Sequence, residues 1–378
     1  KDYGNPVVKT PHLDELADGG MVFLRHYNTT AICMASRANV MSGLYEYKSG
    51  CNFLHGHLGT KQWSTAYPVL LKEAGYRVGF GGKFGFSISD EEGSHLNGKE
   101  GEVAKHDFDF WAGGPGQTNY ETALNPSIAK YADEYPHSTR AYGAATIDFL
   151  RESVDMGAPF CMSVFFKAPH RPQQPDPVFD DIYKDTKFPK LPNYGRENGE
   201  HLAPHSRMGR QYQRWEQWGY NTEEGYQEFL RNYHQLVYGV DYSIGMILDE
   251  LENIGIDDNT VIIFSSDNGF FNGSHGLGGK VLPYEEGTRV PLIIYDPRHK
   301  ESGRRRTSNV LSGNVDIPAT ILDIAGIDIP SGYDGISLLP VRDNPKKPVR
   351  NTLPIIQAWG PKTTNCFSIL NEDYKYIY

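Results

Sequence analysis

The chain has 378 residues, a formal net charge of −10 and 39% hydrophobic residues. This length can bury a large core, so we expect one large α/β unit with a smaller annex, or two domains. The acidic balance argues against non-specific nucleic-acid binding, which needs a basic face, and without an 18-residue apolar run we expect no membrane span. The four cysteines lack CxxC or zinc-finger spacing, which argues against a metal knuckle or a disulfide scaffold.

Helix and strand signals alternate along most of the chain. Thr10 and Pro11 predict a helix start, and residues 21–27 read as a buried strand. The alternation continues with predicted helices over residues 68–74, 139–155, 223–254 and 314–325 and predicted strands over residues 76–82, 160–166 and 260–265. This order is typical of a large, mostly parallel central sheet with helices on both faces.

The pattern changes from about residue 348, where antiparallel strands are predicted. We therefore expect a catalytic domain over residues 1–345 and the start of a smaller antiparallel subdomain over residues 346–378. The chain begins KDYGNP, with no initiator methionine or leader, and ends inside a predicted strand. We expect that residues have been lost at both ends.

Polar residues follow several predicted strands, and the carboxyl ends of parallel strands are where ligands bind. Asp267 and Asn268 follow the strand over residues 260–265 and offer hard oxygen ligands for Ca²⁺ or Mg²⁺, although an ordinary Asn-Gly turn explains them equally well. His275 and Lys280 come shortly after them. The residues at this strand end predict a cation site with a basic rim.

Other strand ends carry basic residues, and one helix opens with a cysteine. His170 and Arg171 follow the strand over residues 160–166, and Lys83 follows a glycine-rich strand. Each could equally be a surface or turn residue when taken alone. Cys33 lies where a helix begins, and backbone N–H groups there favour an anion. Together these residues predict a site for transfer of a tetrahedral oxyanion, sulfate or phosphate.

Five segments in the same order resemble the motifs of the type I sulfatases of the alkaline phosphatase superfamily. Cys33–Arg37 (CMASR) is similar to the C-x-P/A-S-R motif, in which the cysteine becomes formylglycine. The others are 75–83, 166–172, 265–294 and 315–340. The resemblance covers nearly the whole chain and implies a formylglycine made from Cys33 by a formylglycine-generating enzyme, together with one calcium ion.

The resemblance also implies roles for individual residues. One hydroxyl of the formylglycine hydrate at Cys33 would lie on calcium and attack sulfur, and the second would then expel sulfate. Arg37 should hold this hydrate, and Ser36 should steady the helix start. Lys83 and Lys280 should bind sulfate oxygens, with either Lys280 or His170 protonating the leaving oxygen. The expected metal ligands are Asp267, Asn268 and the group at Cys33.

Two features depart from the family pattern. The family's first strand ends in two aspartates that complete the metal site, and we expect that strand to precede Lys1. Where the family has Lys-Trp-His, this chain has Lys83, Phe84 and Gly85. His55 and His57 are the candidates to replace the missing histidine.

The long connection over residues 172–220 is rich in arginine and tryptophan, and long loops over active sites are usually functional. We expect Arg171, Arg214 and His275 to bind a sulfated polysaccharide or oligosaccharide. Two alternatives stay open: a phosphoesterase of the same superfamily, and a non-catalytic binder of sulfated glycans. The resemblance implies a periplasmic or secreted location, or a lysosomal one in a eukaryote.

Overall fold

The computed structural model describes residues 3–54, 56–91, 99–357 and 365–378. The strands are β1 (Met21–Phe23), β2 (His26–Tyr27), β3 (Arg77–Lys83), β4 (Phe110–Gly114), β5 (Phe160–Phe165), β6 (Ile262–Ser265), β7 (Leu292–Tyr295), β8 (Arg306–Ser308), β9 (Ser312–Gly313), β10 (Leu353–Gln357), β11 (Cys366–Leu370) and β12 (Lys375–Ile377). The helices are α1 (Pro11–Gly19), α2 (Cys33–Ser42), α3 (Glu46–Ser49), α4 (Thr60–Trp63), α5 (Tyr67–Glu73), α6 (Ser138–Asp155), α7 (Arg210–Gln217), α8 (Glu223–Asn253), α9 (Glu285–Thr288), α10 (Asp316–Ile324) and α11 (Leu339–Asp343).

The strands form a mixed arrangement of parallel and antiparallel pairs. Strands β4, β3 and β5 make one parallel sheet, and β2 pairs in parallel with β9. A four-stranded sheet has the order β6, β7, β1, β8, in which β1 and β8 are parallel and the other pairs antiparallel. Strands β10, β11 and β12 form a separate antiparallel sheet. The predicted fold class is confirmed.

Helices cover both faces of the parallel sheet. Val78 and Phe80 of β3 pack into an apolar cluster with residues of α2, α5 and α10. On the other side, α6 contacts β3, β4 and β5 and also packs along α8. Strand β3 is thus enclosed on both faces, as expected for a parallel sheet.

One predicted strand differs from the structure, and one predicted helix is confirmed despite its glycines. The single strand predicted over residues 21–27 is two strands, because the chain turns at Leu24 and Arg25 and β2 then pairs with β9 rather than with β7 or β8. Helix α8 runs unbroken for 31 residues despite its glycines. The glycine at position 245 leaves space for the His12 ring of α1, because a Cβ there would lie 2.4 Å from His12 Nε2.

A cavity of about 1180 Å³ lies between the facing edges of β5 and β6. Apolar side chains of β5, β6 and α8 line most of it, and polar residues that follow the two strands line the rest. No helix in the described part of the chain combines the length and apolar content needed to cross a membrane.

Candidate active site

The site forms where helix α2 begins. Cys33 is the first residue of α2 and is 5% exposed, and Ile32 before it has an extended backbone. Burial alone would raise the pKa of the Cys33 thiol, but the nearby ammonium groups of Lys280 and Lys83 outweigh it and lower the pKa from 9.0 to about 7. The surroundings of Cys33 therefore favour a negatively charged group.

Buried polar side chains hold the first turn of α2 in place. The Ser36 hydroxyl donates to Asn28 Oδ1 over 3.2 Å and accepts from Asn314 Nδ2 over 3.1 Å. Asn28 Nδ2 in turn donates to the carbonyl of Ser266, just after β6, over 3.1 Å. All three side chains are fully buried. This network fixes the position of Cys33 relative to the end of β6.

Arg37 lies one turn of α2 after Cys33 and donates hydrogen bonds to residues at three strand ends. Its Nε donates to Asp267 Oδ2 over 2.8 Å, its Nη1 to the carbonyl of Lys83 over 2.6 Å and its Nη2 to the carbonyl of Phe166 over 3.3 Å. Asp267 follows β6, Lys83 ends β3 and Phe166 follows β5. Because the guanidinium fork is rigid, Arg37 sets the relative positions of the three strand ends.

Lys83 ends β3 and is 3% exposed. Its Nζ donates to Gln117 Oε1 over 2.7 Å. Burial lowers the pKa of Lys83 to about 8, and Arg37 and Lys280 add to this effect, while the Cys33 thiolate opposes it. Gln117, which the sequence analysis missed, lies in the loop after β4. Had β4 been predicted as a strand next to β3, Gln117 would have been a candidate, because it follows the carboxyl end of β4.

His170 and Lys280 face the same space. Lys280 Nζ donates to Asn268 Oδ1 over 2.7 Å, and His170 Nδ1 lies 2.6 Å from the carbonyl of Arg171. A carbonyl only accepts, so Nδ1 carries the proton and Nε2 is left with a lone pair. Burial and the charges of Lys280 and Lys83 lower the pKa of His170 to about 3, so the ring is neutral.

Asp267 is the one acidic side chain at the centre of the site among the described residues. Burial alone would raise its pKa, but Arg37, Lys280 and Lys83 hold the pKa well below its usual range. The oxygens of Asp267 and Asn268 have the chemistry that a hard cation such as Ca²⁺ prefers. No group of three or more His, Cys, Asp or Glu side chains placed to hold a metal occurs within the described ranges.

His275 lies in a second cavity, of about 430 Å³, which also contains His201, Tyr284 and Glu286. His275 Nε2 lies 3.1 Å from Glu286 Oε1, and this hydrogen bond, more than any other contact, raises the pKa of His275. Its role in substrate binding stays a prediction.

Arg171 and Arg214 lie over one aromatic ring. Their guanidinium carbons are 4.3 and 4.6 Å from the centre of the Trp218 ring. Trp215, in contrast, belongs to a buried aromatic cluster and is 9% exposed.

The position of the histidine missing from the second motif is tightly packed and has a left-handed backbone. Gly85 has φ +88°, and a Cβ there would lie 3.0 Å from Arg37 Cδ and 3.2 Å from Lys83 Cε. Of the two proposed replacements, His55 lies outside the described residues. The His57 Nδ1 atom is buried without a hydrogen-bond partner in the part of the chain that the structure describes. Whether His57 replaces the histidine is a prediction.

The predicted catalytic and metal-binding residues converge. The large cavity is lined at one end by Arg37, Lys83, His170, Asp267, Asn268 and Lys280, and the charges of four of these side chains act on the Cys33 thiol. A helix start, two lysines and an arginine around one cysteine suit a tetrahedral oxyanion. The mixed α/β fold and the candidate site are thus those expected of a hydrolase that acts on esters of such an anion.

Comparison with known proteins gives the family. The sulfatase family model matches residues 2–327, and the chain belongs to this family. It is 31% identical to an N-acetylglucosamine-6-O-sulfatase of Bacteroides thetaiotaomicron over 91% of this chain and 68% of that protein. It is 27% identical to the human N-acetylglucosamine-6-sulfatase over 89% of this chain and 60% of that protein, so the chain spans about three-fifths of the human relative.

A solved structure agrees with these relatives. A protein in complex with its substrate D-glucosamine-2-N,6-O-disulfate superimposes with a TM-score of 0.77 at 26% identity and covers 100% of this chain and 85% of its own. The predicted sulfatase family, the fold class and the reaction class, hydrolysis of sulfate esters on glycans, are confirmed.

Proposed function

We propose that this protein removes 6-O-sulfate from glucosamine-type residues of a sulfated polysaccharide or oligosaccharide, with a formylglycine made from Cys33 and a bound calcium ion. The observation that carries the proposal is the convergence of Lys83, Lys280 and Arg37 on Cys33 at the start of α2. The sugar and the ring position are supported by the relatives, of which two are named for N-acetylglucosamine 6-sulfate.

The basic side chains account for binding of the scissile sulfate. Lys83 and Lys280 are the two strongest positive influences on Cys33, so an anion next to the reacting group is stabilised by both. Arg37 is already bonded to Asp267 and to two backbone carbonyls. It therefore orients the reacting group and the strand ends rather than carrying the substrate.

Cys33 is the residue that a formylglycine-generating enzyme would modify. The aldehyde, as its hydrate, supplies one hydroxyl for attack on sulfur and a second for release of sulfate. The start of α2 supports this role, because its first-turn N–H groups have no partners within the helix and can stabilise charge on the oxygens.

Lys280 is the proposed donor of the proton to the leaving sugar oxygen. The Nε2 atom of His170 carries no proton, because the Nδ1 proton is donated to the Arg171 carbonyl. His170 can therefore accept a hydrogen bond at the site but cannot supply a proton in this state.

Calcium would be held by Asp267 and Asn268. Both supply oxygen atoms, and both now contact a cationic side chain, Arg37 and Lys280 respectively. Calcium takes six to eight oxygens, so other ligands must join these two. The cavity between the edges of β5 and β6 opens onto Asp267 and Asn268, which leaves space there for further oxygen ligands.

A formylglycine-dependent enzyme for sulfated glycans meets its substrate outside the cytosol. We therefore propose a periplasmic or secreted protein, or a lysosomal one in a eukaryote.

The first test is peptide mass spectrometry across Cys33 after expression with a formylglycine-generating enzyme. An aldehyde at position 33, together with release of sulfate from N-acetylglucosamine 6-sulfate, is expected. Loss of turnover in a calcium chelator and its return on adding Ca²⁺ would support the metal. A thiol in a host that converts a control sulfatase would favour the non-catalytic binder, and faster hydrolysis of 4-nitrophenyl phosphate than of the sulfate would favour a phosphoesterase.

A further inference from the structure

Two arginines beside the site form no ion pair with any described carboxylate. Arg171 and Arg214 are both half-buried, and neither forms an ion pair with a carboxylate within the described ranges. Each instead contacts the ring of Trp218, which itself stacks on Phe270 at 6.0 Å with an angle of 12° between the planes. The aromatic rings thus support two guanidinium groups whose hydrogen-bonding edges meet no carboxylate in the part of the chain that the structure describes.

In the described part of the chain, most basic side chains that lie over an aromatic ring also have an acidic partner. Arg196, on the same long connection, lies 4.0 Å from the centre of the Tyr212 ring and also pairs with Glu216 over 3.0 Å. Arg171 and Arg214 lack such a partner among the described residues, although burial lowers the pKa of each. Two like charges over one ring repel each other, and contact with an aromatic ring offsets this cost only in part. An anion bound between the two guanidinium groups would balance their positive charges.

Both arginines are directly connected to residues of the candidate active site. Arg171 follows His170 in sequence, and its carbonyl accepts the His170 Nδ1 proton. Arg214 lies against the backbone just before Lys280, where a Cβ on Gly279 would be 2.3 Å from Arg214 Nη1. Gln211, one turn before Arg214 on α7, donates to the Lys280 carbonyl over 2.9 Å. The pair is therefore next to the scissile-sulfate site but does not belong to the group around Cys33.

We propose that Arg171 and Arg214 form a second anion subsite, which binds a further sulfate or carboxylate group of the substrate while the scissile sulfate lies at Cys33. This inference rests on the proposed function and adds a preference for glycans with at least two anionic groups. The planar guanidinium fork matches the oxygens of either anion, and Trp218 keeps both forks in place.

The test measures binding by calorimetry to the unmodified Cys33 protein, which cannot turn the substrate over. The probes are N-acetylglucosamine 6-sulfate, glucosamine 2-N,6-O-disulfate, and a 6-sulfated disaccharide that carries a uronate. We expect the disulfated sugar to bind at least about tenfold more tightly than the monosulfated one, equivalent to about 1.4 kcal/mol. Arg171→Gln and Arg214→Gln should each reduce this ratio of affinities, disulfated over monosulfated sugar, to about twofold or less.

Arg196→Gln is the matched control, because it removes an arginine that also lies over an aromatic ring but is paired with a carboxylate. It should keep the wild-type ratio. Arg214→Lys, which keeps the charge without the fork, should give an intermediate ratio and guards against misfolding of the glutamine variants. A wild-type ratio near one for both dianionic probes, or an unchanged ratio in both glutamine variants, overturns the subsite.

The uronate probe separates the two sources of the anion. A preference for the disaccharide that Arg214→Gln removes identifies a carboxylate, and a preference confined to the disulfated sugar identifies a sulfate. Turnover by the modified protein is measured separately. If the modified protein hydrolyses the substrate but the dianionic probes bind no more tightly than the monosulfated one, the proposed function stands and the subsite is overturned. If the dianionic probes bind more tightly because of the arginines but no turnover occurs, the subsite is supported and the proposed hydrolysis is contradicted.

Discussion

Arg37 Nε donates to Asp267 Oδ2 over 2.8 Å, and this pair connects the helix that begins with Cys33 to the end of strand β6. The Arg37 side chain is 7% exposed and the Asp267 side chain 23%. This contact thus joins the helix that carries the proposed nucleophile to the expected metal ligand. A change at Arg37 should therefore affect chemistry and stability together.

Arg37→Lys should lower kcat/KM by at least about 100-fold, because a lysine cannot hold Asp267 and the carbonyls of Lys83 and Phe166 at once, and small displacements in a site are costly. The free energy of unfolding should fall by about 2–3 kcal/mol, since buried acceptors lose their donors. Steady-state kinetics and urea unfolding measure the two effects.

Arg77→Lys is the control for this prediction. Arg77 lies at the other end of β3 and donates to the Phe149 carbonyl and the Ser153 hydroxyl. Its substitution should destabilise the protein without lowering kcat/KM per folded molecule. Equal losses of activity in the two variants would show that Arg37 acts only through stability.

The unmodified Cys33 thiol should react with iodoacetamide with a midpoint near pH 7, because Lys280 and Lys83 lower its pKa to about 7. Burial raises the pKa of Cys51, Cys161 and Cys366, so these thiols serve as internal controls. Mass spectrometry of each cysteine peptide over pH 5–10 gives the four profiles.

Lys280→Met removes one of the charges that stabilise the Cys33 thiolate, so its alkylation midpoint should move upward by about one pH unit. A midpoint near 9 in the wild-type protein, or no upward movement in this variant, would contradict the assigned electrostatics.

Much of the fold could be predicted from the sequence where elements are long and their pattern is strong. Helices α6 and α8 and strands β5 and β6 lie within two residues of their predicted bounds. Strand β4 was missed, because its sequence FWAGG is short and ends in glycines. The boundary between β1 and β2 was missed because pairing with different strands, not local pattern, determines it.

Predicted strand ends also identified most of the site. Asp267, Lys83 and His170 were found in this way and share one cavity. Gln117 was missed together with β4. The contacts of Arg37 with two backbone carbonyls cannot be predicted from a motif, because they depend on how distant segments pack.

Lys280→Ala should lower kcat/KM on a sugar sulfate by about 1,000-fold, as expected when a general acid is removed. On 4-nitrophenyl sulfate, whose leaving group needs little protonation, the loss should be about tenfold. His170→Ala should reduce both activities by similar factors, because the neutral ring has no proton on Nε2 to donate. A larger dependence on the leaving group in His170→Ala than in Lys280→Ala would reverse the assignment.

Gly85→His, which restores the residue usual in the family's second motif, should lower activity rather than raise it. Gly85 has φ +88°, where a side chain costs about 1–3 kcal/mol, and its Cβ would press on Arg37 Cδ at 3.0 Å. Gly75→Ala is a matched control, because Gly75 has φ +87° and open space around its Cβ. Both Gly85→Ala and Gly75→Ala should lose stability through the strained φ, and Gly85→Ala should lose more because its Cβ also meets Arg37. Only Gly85→Ala should lower kcat/KM, by about tenfold or more through displacement of Arg37. A gain of activity in Gly85→His, measured as sulfate release per folded molecule, would mean that the backbone moves to admit the histidine and that the second motif works here as it does in the family.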